Sequence, residues 1–139
     1  MNREILFRGK TLYDHYDHYA SPKPDTKEGT WVYGDLMTEY PYLKGPTIVE
    51  NGVYHEVDPE TVGQYTGLKD KNGVKIFEGD ILGFYDIGEQ GKSAVEFKDG
   101  AFRVEDWGEE VVLTEELIHS FAVVHVEGNI HDNPELLEV

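Results

Sequence analysis

Three dipeptides, Asn51-Gly52, Asn72-Gly73 and Asp99-Gly100, each stand between short runs of β-forming residues, and they constrain the fold of this chain more than any other feature. A two-residue type I′ turn needs positive φ at both central positions, which Asn-Gly and Asp-Gly adopt with little strain, and its twist matches that of paired strands. The flanking runs are 47–50 and 53–57, then 67–71 and 74–77, then 94–98 and 101–105. Three tight turns at this spacing predict a meandering antiparallel topology.

Further strands are expected at Glu4-Ile5-Leu6-Phe7-Arg8, ended by Gly9, and at Trp31-Val32-Tyr33-Gly34-Asp35-Leu36-Met37. Val95, Phe97, Phe102 and Val104 alternate with charged residues, which predicts one buried and one wet face. Ile81-Leu82-Gly83-Phe84-Tyr85 is continuously apolar and reads as a central strand, and residues 119–130 as largely strand. Residues 14–29, with Ser21-Pro22-Lys23-Pro24-Asp25, form a long irregular loop expected to be mobile. Helix is expected late: one capped turn at Thr114-Glu115-Glu116-Leu117-Ile118, and a short C-terminal helix with Asn133 as cap and Pro134 first. The expected fold is mainly β, with antiparallel hairpins forming a small SH3-like, partly closed barrel, an N-terminal β segment and that C-terminal helix. A chain of 139 residues suits one domain, with two lobes at 1–62 and 63–139 as its internal division.

Charge narrows the function. There are 28 acidic and 12 basic side chains, a formal net charge of −16, and nothing basic after Arg103. Lys and Arg supply the counterion release that drives nucleic-acid affinity, so direct phosphate binding is excluded as the main mode, and an anionic membrane surface with it. The last carboxylates are interleaved with Val, Leu, Ile and Phe, as on a folded acidic surface. No cysteine is present, which removes disulfides, thiolate nucleophiles and Cys-ligated metals and fits a reducing cytosol. The opening Ile5-Leu6-Phe7 is too short for a signal-peptide core, and no apolar run approaches a membrane span; a cytoplasmic location is expected.

Candidate chemistry is sparse. Tyr13-Asp14-His15-Tyr16-Asp17-His18-Tyr19 offers two imidazoles and two carboxylates that a helix would place on one face, but the nearby prolines and the lack of a third ligand favour a polar aromatic loop. His119, His125 and His131 would share a face only on one uninterrupted strand, which Gly128 disfavours. Glu115-Glu116 lacks any partner that would mark acid–base chemistry, and Glu105-Asp106 with Glu109-Glu110 around Trp107-Gly108 reads as a wet loop. No catalytic residue, cofactor site or metal ligand is assigned. Trp31, Trp107 and nine tyrosines are mostly core and cross-strand pairs, yet aromatics among carboxylates also suit a protein-binding face.

Gln64-Tyr65-Thr66-Gly67-Leu68-Lys69-Asp70-Lys71-Asn72-Gly73, running into Ile76-Phe77-Glu78-Gly79-Asp80-Ile81, and the closing Gly128-Asn129-Ile130-His131-Asp132-Asn133-Pro134-Glu135-Leu136 resemble the YopX family of phage and prophage proteins. Arg3-Glu4-Ile5-Leu6-Phe7-Arg8-Gly9 and Trp31-Val32-Tyr33-Gly34-Asp35 are similar to its N-terminal pattern, while residues 13–28 depart from it as a local insertion. The resemblance implies phage or prophage origin, expression in a bacterial host and a homo-oligomer, and brings no catalytic residues. Tyr65, Thr66, Gly67, Leu68, Asp70, Asn72, Gly73, Gly79, Asp80, Gly128, Asn129, Asn133 and Pro134 are its motif positions, expected to be structural. The expected function is a non-enzymatic accessory protein that binds a protein partner, basic or DNA-binding, through an acidic surface containing aromatics. The alternatives are a self-assembling structural homo-oligomer and, further off, a metal-dependent enzyme or small-ligand binder.

Overall fold

The computed structural model describes residues 4–16, 22–39, 44–106 and 108–138. Arg3, Asp17, His18, Tyr19, Ser21 and Trp107, singled out above, lie outside the described residues. The chain is mainly β and antiparallel, and it divides into two compact units, residues 2–64 and 65–139.

In residues 2–64, β1 (Phe7–Lys10), β2 (Trp31–Met37), β3 (Thr47–Glu50) and β4 (Val53–Glu56) pair in the order β4-β3-β2-β1. Val32, Ile48 and Val57 are buried together with Phe7, Leu36 and Val62 packed against them, while Tyr33 and Asp35 of β2 are exposed. Asn51 and Gly52 adopt φ of 50° and 79°, the type I′ signature, between β3 and β4. The first strand does not end at Gly9. It begins at Phe7, not Glu4, and runs through to Lys10, because Gly9 and Lys10 pair with Val32 and Trp31 of β2; a β-carbon at Gly9 would lie 2.9 Å from Val57 Cβ. The described ends of the long loop are tied together, His15 N donating to Thr26 O at 2.7 Å and Glu28 N to Asp14 Oδ1 at 2.7 Å.

β5 (Gly63–Lys69) crosses the division. Its first two residues pair with β1, and Tyr65 and Lys69 pair with Phe77 and Lys75 of β6 (Lys75–Phe77). Residues 65–139 then build two three-stranded sheets. In one, β7 (Asp80–Asp86) is central between β8 (Glu89–Ala94) and β12 (Val123–Asn129); in the other, β10 (Ala101–Asp106) is central between β9 (Glu96–Lys98) and β11 (Glu109–Val112). Leu82 and Phe84 of β7, Phe102 and Val104 of β10, Val124 of β12 and Ile118 of α1 (Glu115–Ser120) share one core. Ser93 Oγ, accepting from Glu105 N at 2.8 Å, ties β8 to β10.

Several details differ from the sequence reading. Among the described residues no sheet closes into a barrel. Asp99 and Gly100 form the expected type I′ turn, with φ of 51° and 78°, but at Asn72-Gly73 only the glycine has positive φ. There Asp70 bends a wider loop instead. Phe97, expected inside, is 53% exposed on an edge strand and rests edge-on against Phe102. Glu105-Asp106 and Glu109-Glu110, expected as a wet loop, pair instead in strands, Glu105 opposite Glu110 and Asp106 opposite Glu109. α1 forms where expected, Thr114 Oγ1 accepting from Leu117 N at 3.0 Å, and extends to Ser120, so β12 begins at Val123. The C-terminal helix is a single 3-10 turn, Pro134–Leu137, uncapped by the Asn133 side chain, which is engaged elsewhere.

Candidate functional site

The motif residues build the frame of the second unit. Gly67, at φ 86°, sits at a register shift in β5; across it Thr66 Oγ1 donates to Ile76 O at 2.8 Å and accepts from Leu68 N at 3.1 Å. Leu68 packs against the core, and Tyr65 lies 5.5 Å from the Phe77 ring, centroid to centroid. The Asp70 carboxylate accepts from Asn72 N (2.8 Å) and Val74 N (2.9 Å), closing the loop around Gly73, and from Val126 N (2.9 Å) on β12. Asp80, buried, accepts from Phe77 N at 2.7 Å. Gly79 O accepts from Ile130 N at 2.9 Å, which joins the central motif to the closing one. In the closing motif Asn129 Oδ1 accepts from His131 N and Asp132 N, and Asn133 lies over Gly128 so closely that a β-carbon there would be 2.5 Å from Asn133 Oδ1. Pro134 opens the last turn. These side chains hold backbone amides and carbonyls, the work of a scaffold.

The histidines are not brought together: His119 is on α1, His125 on β12 and His131 in the turn that follows. Among the described residues no group of three His, Asp or Glu side chains is placed to hold a metal ion. His15 packs edge-on to His55, 5.4 Å away.

A polar cluster that the sequence did not reveal lies on the outer face of the β8-β7-β12 sheet. Lys92, Gly83 and His125 stand in one row across the three strands. Gly83 leaves a slot: a β-carbon there would lie 2.5 Å from Glu127 Oε1 and 2.8 Å from Tyr85 Cε2. Into it comes Glu127, the extra residue of a β-bulge between Val126 and Gly128, re-aimed by that irregularity. The Tyr85 hydroxyl donates to Glu127 Oε1, His125 Nε2 lies 3.0 Å from the same oxygen, and Lys92 Nζ is 3.2 Å from Oε2. Burial opposes the charge on Glu127, but these donors outweigh it and hold the carboxyl below its usual range. The hydrogen bond to Glu127, with burial and the nearby negative charge adding to it, raises the Tyr85 phenol above its ordinary value. The only hints in the sequence were a glycine inside an apolar run and the i, i+2 spacing of His125 and Glu127.

On the other side of β8 is a cleft of about 230 Å³. Phe84 and Phe121 give it an apolar wall, their ring centroids 5.1 Å apart, and Glu89, Glu105 and Asp106 supply carboxylates. Lys71 Nζ donates to the carbonyls of Phe121 and Ala122, which fixes that end of the wall. Among the described residues, Lys92 is the one cation lining the cleft, and Glu127 engages it from the opposite face; Glu89, Glu105 and Asp106 have no ion pair. A larger depression of about 410 Å³ beside β9 and β10 has no aromatic lining among the described residues, and its Glu110 is already neutralised by Lys98 at 3.2 Å and Arg103 at 3.7 Å. The smaller cleft is therefore the candidate site: negative, partly apolar and unsaturated. Sequence reasoning had marked Glu105 and Asp106 only as exposed acids and Phe84 and Phe121 only as apolar.

Comparison with known proteins agrees with this scaffold. The chain is similar to the crystal structure of protein EF1440 from Enterococcus faecalis, at 28% identity and a TM-score of 0.57, over 99% of this chain and 100% of that one. No curated protein matches the chain. A family profile described as YopX protein matches residues 25–138, which takes in the central and closing motifs whose hydrogen bonds knit β5, β6, β7 and β12. The chain belongs to the YopX protein family.

Proposed function

We propose that this is a non-enzymatic accessory protein that binds a basic protein partner, acting in the cytosol of a bacterial cell that carries a phage or prophage. The observation that supports partner binding is the cleft beside β8 and β10, where aromatic rings lie beside three carboxylates that have no ion pair among the described residues. Rigid apolar anchors with charge around them suit a protein interface, and a chain of net charge −16 steers a basic partner toward it. The setting rests on the family resemblance alone. Affinity capture from a bacterial lysate, using the whole chain and a Glu89→Gln/Glu105→Gln/Asp106→Asn variant, tests the reading. A basic protein held at low salt by the native chain and lost by the variant supports it. The same proteins captured by both, or capture indifferent to salt, would refute it.

Self-assembly is favoured by a different observation. Ile87, at the tip of the β7–β8 hairpin, is 96% exposed, and Phe97 is exposed on the edge strand β9. Sedimentation equilibrium decides it: a monomer up to millimolar concentration removes this reading, and an oligomer dissociated by Ile87→Ser sustains it.

A further inference from the structure

The cleft is smaller than the roughly 300–1,000 Å³ typical of sites for whole drug-sized ligands, and its scale suits one side chain. Its two kinds of lining make different demands on that side chain. Phe84 and Phe121 ask for something apolar or flat, and Glu89, Glu105 and Asp106 ask for positive charge. A guanidinium answers both, since it stacks on aromatic faces and forks between carboxylate oxygens, whereas an ammonium is a more strongly hydrated point charge.

The cleft's own cation bears on this. Lys92 lines the cleft but its ammonium is 3.2 Å from Glu127 Oε2, and Glu127 is itself held in the Gly83 slot by Tyr85 and His125. Strand alternation sets Lys92 beside Gly83 on the outer face of the sheet, and this ion pair holds its ammonium there, away from the three carboxylates.

We propose that the cleft receives a single arginine side chain of the partner. The proposal rests on the partner-binding reading above and adds to it the recognised group.

The test uses the whole chain and blocked pentapeptides, Gly-Gly-Arg-Gly-Gly with its lysine and citrulline counterparts, followed by the backbone amide resonances of Gly91 and Gly108, both of which line the cleft. The arginine peptide should shift both amides saturably. Citrulline, which keeps the shape and loses the charge, should bind at least tenfold more weakly, and lysine more weakly than arginine. Glu105→Gln/Asp106→Asn should cost tenfold or more. Lys92→Met, at an exposed position on the outer face, should bind arginine at least as tightly as the native chain.

Equal binding of citrulline and arginine, or tighter binding of lysine, overturns the arginine assignment. If no peptide shifts Gly91 or Gly108 while the salt-sensitive partner is still captured, the arginine proposal falls and the partner-binding reading stands. If capture is indifferent to salt and to the cleft carboxylates, both fall.

Discussion

Gly83→Ala should destabilise the protein by about 1–3 kcal/mol, the usual cost of forcing extra atoms into a packed site. The added methyl would lie 2.5 Å from Glu127 Oε1, 2.7 Å from Glu127 Cδ and 2.8 Å from Tyr85 Cε2, so both side chains must move. Neither is the free end of a loose chain, since the Tyr85 hydroxyl, His125 and Lys92 all converge on the Glu127 carboxylate. Displacing that carboxylate also weakens hydrogen bonds to a charged group, each worth about 1.5–3 kcal/mol when fully formed and less at this partly exposed surface. Against this, alanine reduces the freedom of the unfolded chain by only about 0.4–1 kcal/mol.

Gly91 is the internal control. It faces Phe84 across the same sheet, its φ lies outside the positive range, and nothing stands within 4 Å of where its β-carbon would be. Gly91→Ala should therefore be neutral or stabilising by a few tenths of a kcal/mol. Urea unfolding of the three proteins, with unchanged m-values, measures the difference. The Tyr85 phenol provides a second reading: spectrophotometric titration, with Tyr85→Phe identifying its contribution, should show its pKa moving back toward the ordinary tyrosine value in Gly83→Ala. Equal stabilities for Gly83→Ala and Gly91→Ala would refute the slot.

Two further outcomes follow from the same contacts. Glu127 titrates below its unfolded value of 4.5, so it contributes stability above about pH 4.5 that is lost as pH falls through the lower folded value; the advantage of the native chain over Glu127→Gln in urea should shrink on acidification through that window. Tyr85 has the opposite sign: its raised pKa contributes stability below pH 10.0 that is lost as pH rises through the folded value, an effect that Tyr85→Phe should abolish. Asp70→Ala should cost about 1–3 kcal/mol, because water can reach the exposed Asn72 and Val74 amides but the Val126 amide lies within β12 and loses its acceptor. Hydrogen exchange should show Val126 losing protection first, and an unchanged rate there would contradict that account.

The turns were the legible part of the fold. Asn51-Gly52 and Asp99-Gly100 announce type I′ hairpins because few other pairs adopt positive φ twice in succession. Asn72-Gly73 carries the same dipeptide and folds otherwise, since Asp70 gives the loop amides a nearby acceptor and so competes with the two-residue turn. β8 was illegible for the opposite reason: Glu89-Gln90-Gly91-Lys92-Ser93-Ala94 has no β-forming side chain and is a strand because β7 beside it offers a ladder. Lys92 and Glu127 could not be paired in advance, because they meet only through a register and a bulge set by tertiary structure.

The division of labour between motif and cleft yields the sharpest prediction about function. The motif side chains bond to backbone, whereas Glu89 and Glu105 are exposed, Asp106 is half-buried, and none of the three has an ion pair among the described residues. Surface substitutions away from structural contacts stay within about 0.5 kcal/mol, and removing like charges from a chain of net −16 relieves repulsion. Glu89→Gln/Glu105→Gln/Asp106→Asn should therefore match or exceed the native chain in urea unfolding while losing its basic partner. If the triple variant were instead less stable by more than about 1 kcal/mol, beyond what exposed positions ordinarily cost, the carboxylates would be part of the scaffold. Their freedom to meet a partner's arginine would then be gone, and with it the reason to read this cleft as a binding site.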